Sequence, residues 1–350
     1  MQEKKEKRLD FELLRLIAIF GVVFNHTQAR GFELYMAEGV STVNYVGSIL
    51  LGILCKVAVP LFFLVSGGLL LHREEPIRTV LTKRVLRILT VLVVFSGVLY
   101  VFWVLWGYFP GSVYDFATQL WSTGVSIPYW YLYAYLGIML MLPLLRPMVK
   151  AMSDMTFVYL AVLHVVIYGV LGTAAFLLKL GYMHSDFLLP FIEPSLFYFL
   201  MGYFLAHRFS WELMTKRHLG ILWGLAAVSV AVMYVLADIS VSRYGGINFQ
   251  YQKSLMIFPI FAVYASAHQF FNGRKVSDKA AKVITTLGGC VFGTYLLEGP
   301  LRHVLGFVYE WLEPQIHVLP ACILWVVAVV LSGLLITWVL KKIPLLKKLL

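Results

Sequence analysis

The sequence predicts an all-α, polytopic membrane protein: a bundle of about ten transmembrane helices with both termini in the cytoplasm. Of the 350 residues, 60% are apolar and only 13% are charged, about half the charged share of an ordinary soluble domain. The mean hydropathy is +0.81. Long apolar runs recur along the whole chain, and basic residues cluster between alternate runs. A water-soluble globular fold is excluded, because it could not hide this much apolar surface.

A helix that spans a bilayer needs about 20 mostly apolar residues, and ten segments meet this criterion. They are 11–29, 44–71, 86–108, 129–148, 156–178, 187–206, 219–238, 251–271, 285–309 and 317–340. Pro60 interrupts the second of them. The connecting stretches are short, so we expect one membrane domain, 1–350. The first segment is too long for a signal peptide and lacks a small-residue cleavage site, so we expect it to be retained.

The net charge of +11 reflects topology more than a nucleic-acid partner. With the N-terminus inside, 22 of the 29 lysines and arginines fall in inside segments and four in outside ones. Such asymmetry obeys the positive-inside rule and favours an even number of spans. The remaining three, Arg15, Lys56 and Arg302, lie within spans. The three cysteines all lie in apolar runs, so no disulfide framework is predicted, and no metal site is expected.

Ionisable residues inside a span are costly, so each is a candidate for function. In the first span Arg15 and His26 are eleven residues apart, which places them on one helix face about 16 Å apart along the axis. A buried imidazole can accept a proton from a hydroxyl, and a guanidinium can hold a phosphate or carboxylate. The alternative for His26 is a structural core histidine. The neighbouring Asn25 could donate to an oxyanion, or it could bridge helices.

Further candidates lie in the second, third, fourth and ninth spans. Lys56 is an intramembrane cation just before Pro60. Arg84 and Arg87 follow Lys83 in a basic face that either anchors the third span at the interface or cradles the phosphates of a donor. Glu298 lies at a depth similar to that of His26 and could meet it in one cavity; it could also simply pair with Arg302 at i, i+4. Tyr129 and Trp130 open the fourth span, as an aromatic belt or as a platform for a sugar.

These features resemble the integral-membrane acyltransferase family 3, which includes sugar and glycan O-acetyltransferases of the bacterial envelope. Arg15-x10-His26 matches the family's R-x10-H motif, and Arg84-x-x-Arg87 matches its R-x-x-R motif. The segments that resemble other spans of the family are VPLFFLVSGGLL (59–70), PYWYLYAYLGIMLMLPLL (128–145), FYFLMGYFLA (197–206) and CVFGTYLLE (290–298). Two positions depart from the family pattern: Glu12 stands where an aspartate is common, and Glu298 stands where many members have a histidine.

The resemblance implies transfer of an acyl group, acetyl in many members, from cytoplasmic acyl-CoA to a hydroxyl on the outer side of the bacterial cytoplasmic membrane. It implies an envelope carbohydrate or related acceptor, with acetyl-CoA as the donor. His26 would act as general base with Glu298 in the catalytic site. Arg15, Lys56, Arg84 and Arg87 would bind the donor, and Asn25, Tyr129 and Trp130 the acceptor.

Two other classes of function remain compatible with the sequence. A transporter of a lipid-linked or anionic solute would also need many spans, a proline-broken helix and intramembrane charges. A membrane module that senses or recruits, without turnover, is the third possibility. The Arg15–His26 face and the Arg84-x-x-Arg87 pair favour the enzyme, because a transporter does not need them.

Overall fold

The computed structural model describes residues 8–180, 190–247 and 255–350. These residues form helices and turns and contain no strand, as the composition predicts. The helices are α1 Leu9–Asn25, α2 Thr42–Cys55, α3 Ala58–Leu70, α4 Ile77–Leu105, α5 Val113–Ser122, α6 Ile127–Ala151, α7 Asp154–Leu177, α8 Pro194–His207, α9 Lys216–Tyr244, α10 Ile257–Phe271, α11 Asp278–Gly288, α12 Val291–Val304, α13 Gly306–Ile316, α14 Val318–Leu340 and α15 Pro344–Leu349.

Six stretches are long and apolar enough to cross a membrane: α2 with α3, then α4, α6, α7, α9 and α14. They coincide with six of the ten predicted spans. The predicted span 285–309 is not one straight helix, because α11 and α12 meet at a bend of 50° and together give a possible seventh crossing. The break falls at Gly289 and Cys290, directly after Gly288, and two successive glycines disfavour a continuous helix at this point.

The other three predicted spans are helical but shorter than 18 residues among the described residues. They correspond to α1 with 17 residues, α8 with 14 and α10 with 15. Residues 187–189 of one predicted span and 251–254 of another lie outside the described residues. The chain is therefore a multi-pass membrane protein with six or seven long crossings among the described residues.

The break between α2 and α3 has a local cause. Pro60 lies in the first turn of α3; its ring would clash with the carbonyl of Lys56, four residues earlier, in a continuous helix. The helix accordingly ends at Cys55 and resumes at Ala58. The interruption predicted at Pro60 thus lies about one turn earlier, between Cys55 and Ala58.

Helix α1 lies at the centre of the bundle. It packs against α2, α3, α10, α11, α12 and α14, and most of its side chains are buried, including Phe11, Ile19 and Val23. The long helix α9 is peripheral, with only 22% of its apolar window buried. Arg15 and His26 therefore belong to an inner helix of the fold and line a cavity beside it.

The closest helix crossing joins α3 to α8. A Cβ atom at Gly67 would overlap the carbonyl oxygen of Phe199, and one at Gly202 would overlap the carbonyl oxygen of Leu64. The two backbones can approach this closely only because both positions are glycine. The glycines of the Ser66-Gly67-Gly68 stretch thus allow the close packing of α3 against α8.

We expect Gly67→Ala to destabilise the protein by about 1–3 kcal/mol, the usual cost of forcing extra volume into a tight contact. The measurement is the midpoint of thermal unfolding in detergent. The control is Gly220→Ala in α9, where an added Cβ meets nothing within 4 Å, so that this variant should be neutral or slightly more stable. Equal midpoints for both variants would contradict the tight crossing.

Candidate functional site

A cavity of about 390 Å³ lies beside α1. Its lining includes Arg15 and His26, so the two residues that share a face of α1 in the sequence share one cavity in the structure. The helical rise places them about 16 Å apart. We call the two parts the basic end and the histidine end. The lining residues are Arg15, Val22, Asn25, His26, Val59, Phe62, Ser66, Arg87, Ile88, Pro128, Trp130, Tyr131, Tyr135, Gly288, Gly289, Val291, Phe292, Tyr295, Lys341 and Leu350.

At the histidine end, α1 stops and its last turn meets α12. His26 follows the last residue of α1, and its Nδ1 lies 3.2 Å from Oε1 of the buried Glu298. That nitrogen is itself buried and makes no aligned hydrogen bond to the described residues. The other carboxylate oxygen accepts a hydrogen bond of 2.5 Å from Nε of Arg302. Glu298 therefore contacts both His26 and Arg302, but it is buried between them and does not line the cavity.

Arg302 also fixes the backbone of α1. Its Nη1 donates to the carbonyl oxygen of His26, at 2.5 Å. The same guanidinium binds Glu298. The carboxylate and the histidine are therefore held together twice, by their direct contact and through Arg302. An arginine is suited to this task, since its planar group presents several donors in fixed directions.

Asn25 bridges α1 to the break between α2 and α3. Its Nδ2 donates to the carbonyl oxygen of Cys55, at 3.1 Å, which is the bridging role that the sequence left open. Its Oδ1 is buried without a hydrogen-bond partner in the described residues, and Asn25 lines the cavity. Asn25 thus carries, beside the histidine end, an amide oxygen that could accept a hydrogen bond from a hydroxyl group.

Lys56 lies away from the basic end. It directly follows Cys55, whose carbonyl oxygen accepts the hydrogen bond from Asn25. Its Nζ lies 4.5 Å from the ring centre of Phe32. The contact is of the cation–π type. The structure therefore groups Lys56 with Asn25 rather than with Arg15, and Lys56 does not line the cavity. Its assignment to a donor stays a prediction.

The basic end brings together Arg15, Arg87 and Lys341 from three helices or their ends. Arg15 pairs with Glu12 one turn earlier, with Nη1 3.1 Å from Oε1. Arg87 donates from Nη2 to the carbonyl oxygen of Leu349, at 3.0 Å, and Lys341 donates to that of Gly289, at 2.7 Å. Among the described residues that line the cavity, none has an acidic side chain. This end of the cavity is suited to an anion.

Arg84 points elsewhere, although it is only three residues before Arg87. Its Nε donates to Oε2 of Glu75, at 2.7 Å, and Nη2 of Arg146 donates to the same oxygen, at 2.9 Å. Arg84 does not line the cavity. The Arg84 and Arg146 guanidinium groups lower the pKa of the Glu75 carboxyl to about 2. This triad joins the loop after α3 to α4 and α6, and so fixes the start of the helix that carries Arg87.

Tyr129 and Trp130, the two aromatic candidates at the start of α6, have different environments. Tyr129 is buried, and its hydroxyl donates to the carbonyl oxygen of Leu296, at 2.9 Å, so it joins α6 to α12. Trp130 lines the cavity and is 48% exposed. Of the two, only Trp130 is placed to touch a ligand in the cavity.

Lys341 is a charged residue of the cavity lining that the sequence analysis did not single out. In the sequence it is one of several lysines after the last span, and each of them is explained by the positive-inside rule. Only the fold distinguishes it, because the end of α14 meets the bend between α11 and α12. Among the described residues, no group of three or more His, Cys, Asp or Glu side chains is placed to hold a metal ion.

Comparison with protein families gives one clear finding. The family described as an acyltransferase domain, acyltransferase family 3, matches residues 8–342. The chain belongs to acyltransferase family 3. Comparison with curated proteins and with solved structures gives no match.

Membership of acyltransferase family 3 identifies the chain as a membrane acyltransferase that transfers groups other than aminoacyl groups. The resemblance on which the sequence interpretation rests is confirmed. An acyltransferase of this family needs a place for a donor and a place for an acceptor, and the cavity offers two chemically different ends. The transporter reading loses its support, because the family is one of enzymes.

We expect Glu75→Gln to lower the midpoint of thermal unfolding at pH 7, with a cost on the order of 3 kcal/mol, because it leaves the buried Arg146 without its counter-charge. Since the folded-state pKa of Glu75 is depressed from its ordinary 4.5 to about 2, the wild-type advantage is complete above about pH 4.5. It should shrink as the pH falls toward 2.

The measurement is thermal unfolding of both proteins in detergent at pH 7, 4.5 and 3. Glu74→Gln is the matched control: Glu74 is exposed and pairs only with Lys150 among the described residues, so its loss should have little effect. A gap between wild type and Glu75→Gln that stays constant from pH 7 to pH 3 would argue against the triad.

Proposed function

We propose that the protein is an O-acyltransferase of the bacterial cytoplasmic membrane, and that it moves an acyl group, acetyl in the simplest case, from cytoplasmic acyl-CoA to a hydroxyl of an envelope carbohydrate or related acceptor. One observation carries the proposal: a single cavity joins three cations at one end to His26, Asn25 and the Glu298 contact at the other. Phosphates suit the first end and a reacting hydroxyl suits the second.

The proposed topology has about ten crossings and cytoplasmic termini. The charge asymmetry of 22 inside residues to four outside supports it. In this topology α1, α8 and α10, which are shorter than the six long crossings, also cross the apolar layer. The basic end then faces the cytoplasm, where acyl-CoA is found, and the histidine end lies toward the outer side.

The donor would lie along α1. Arg15, Arg87 and Lys341 would hold its phosphates through charge-assisted hydrogen bonds, and its thin arm would follow α1 toward His26, over the roughly 16 Å that separate the two residues. Arg84 supports this indirectly, since its pair with Glu75 fixes the start of α4. Lys56, which lies near Asn25, is better placed for the acceptor than for the phosphates.

In the proposed reaction His26 is the general base. Its Nδ1 faces Glu298, which leaves Nε2 to take the proton of the acceptor hydroxyl. The hydroxyl oxygen then attacks the thioester carbonyl, a carbon–oxygen bond forms, and the carbon–sulfur bond breaks. The proton on His26 passes to the thiolate, and the products are an ester and free coenzyme A.

Glu298 and Arg302 serve this step by position and charge. The carboxylate selects the tautomer of His26 and stabilises the imidazolium that forms, as the acid of a catalytic triad does. Arg302 pairs with the carboxylate and holds the carbonyl of His26. Glu298 would therefore assist His26 as a carboxylate, and the reaction would not require a histidine at this position of α12.

We expect His26→Ala to lower kcat by at least about 10²-fold, since a general base contributes that much or more, while the thermal midpoint changes little. Glu298→Gln should reduce kcat less and shift its pH profile, because it acts through His26. The measurement is release of free thiol from acetyl-CoA in the presence of an acceptor. His218→Ala, at the exposed start of α9, is the control. Near-normal turnover by folded His26→Ala would exclude the base role.

The donor site has its own test. We expect Arg87→Ala and Lys341→Ala each to weaken acetyl-CoA binding by about 10-fold or more, because each variant loses one charge-assisted contact. Each variant should weaken the binding of a donor that lacks the phosphates by a smaller factor. Lys347→Ala removes the same charge from the exposed face of α15 and should bind normally. Calorimetric titration measures each affinity. Unchanged affinity in both cavity variants would place the donor elsewhere.

A further inference from the structure

A groove on the outside of the bundle adjoins the cavity at Trp130. It has a volume of about 740 Å³ and lies between α6 and α8, with one residue from α7. We call it the lateral groove. Its lining residues are Trp130, Ala134, Gly137, Ile138, Met141, Tyr168, Pro190, Glu193, Ser195 and Leu196. Trp130 is the residue that both linings share.

The lateral groove is polar at one end and apolar along its length. Trp130 and Met141 are eleven residues apart on one face of α6, a distance of about 16 Å and about half the thickness of the hydrocarbon layer. Glu193 and Ser195 lie at the start of α8. Since α6 and α8 are separated by the single crossing α7, both run in the same direction, and their starts lie at the same side. The polar end is therefore at the level of Trp130.

The charge of the groove differs from that of the cavity. Among the described residues, its lining holds one carboxylate, Glu193, and the hydroxyls of Tyr168 and Ser195, but no lysine or arginine. The Glu193 carboxylate accepts a hydrogen bond from the backbone N–H of Ser195, at 2.8 Å. A phosphate at this place would meet a negative group and no cation from the lining. An uncharged head group with hydroxyls would find acceptors and donors.

We propose that the lateral groove binds the hydrocarbon chain of a lipid-anchored acceptor whose head group is uncharged and bears hydroxyls. Resting on the proposed function, this inference names the class of its acceptor. The chain lies along Ala134, Gly137 and Met141, the head group lies beside Glu193, and Trp130 separates it from His26. The hydroxyl reaches the histidine end past Trp130, so the acceptor arrives sideways from the membrane rather than from water.

Gly137 allows a direct test. An added Cβ at this position meets nothing within 4 Å, so Gly137→Leu fills the groove without forcing the helices apart. Gly224→Leu in α9 is the matched control, because Gly224 is also exposed, unobstructed and helical. Each protein in lipid nanodiscs receives acetyl-CoA with dodecyl glucoside or with methyl glucoside, and kcat/KM is measured for both.

We expect wild type and Gly224→Leu to prefer dodecyl glucoside, and Gly137→Leu to lower that preference by about tenfold or more, the scale set by a filled apolar pocket. Equal use of the two glucosides by wild type would overturn the proposal, as would the same preference in Gly137→Leu. Preference for a dodecyl phosphate-linked sugar over dodecyl glucoside would overturn the uncharged head group.

A binding measurement separates this proposal from the proposed function. A dodecyl glucoside with a diazirine in its chain should label Ile138 or Met141 on irradiation, and Gly137→Leu should reduce the labelling. Labelling without any acetyl transfer would retain the groove and reject the proposed reaction. Transfer without labelling of α6 would retain the reaction and reject the groove.

Discussion

The interaction on which the structure depends is the buried carboxylate of Glu298 between His26 and Arg302. An isolated carboxylate inside an apolar bundle would be very costly, and the Arg302 guanidinium, together with the contact to the His26 imidazole, reduces that cost. Because one partner ends α1 and the other lies one turn further along α12, the pairing fixes the central helix against its neighbour. The same contacts that make the charge tolerable also orient the imidazole, so stability and chemistry share one set of atoms.

The cavity extends this principle along α1. Helix α1 packs against six helices, and the cavity beside it carries a guanidinium at one end and an imidazole at the other. Each end is completed by other parts of the chain: the bend at Gly288 and Gly289 and the end of α14 at the basic end, and α12 with the start of α6 at the histidine end. A ligand that touches both ends must therefore be long and thin.

Much of this could be predicted from the sequence, and the failures have physical reasons. Hydropathy located the six long crossings, and helical periodicity placed Arg15 and His26 on one face, because both signals are local. The bend inside 285–309 was missed, and α1, α8 and α10 are shorter than the spans predicted there, since apolarity does not report where a helix breaks or ends. Arg84 and Lys56 carry the positive charge that a phosphate-bearing donor needs. Their side chains are held instead by Glu75 and by Phe32, respectively, and the sequence does not reveal these contacts. Lys341 joins the site only through the fold.

The contrast between α1 and the peripheral α9 has a consequence for how such a chain can change over evolutionary time. Substitutions in α1 alter core and chemistry together, whereas most side chains in the apolar window of α9 are not enclosed by protein. Drift can therefore accumulate in the outer helices without cost to the reaction. Homologues that differ widely in overall identity could still be recognised by aligning this single inner helix.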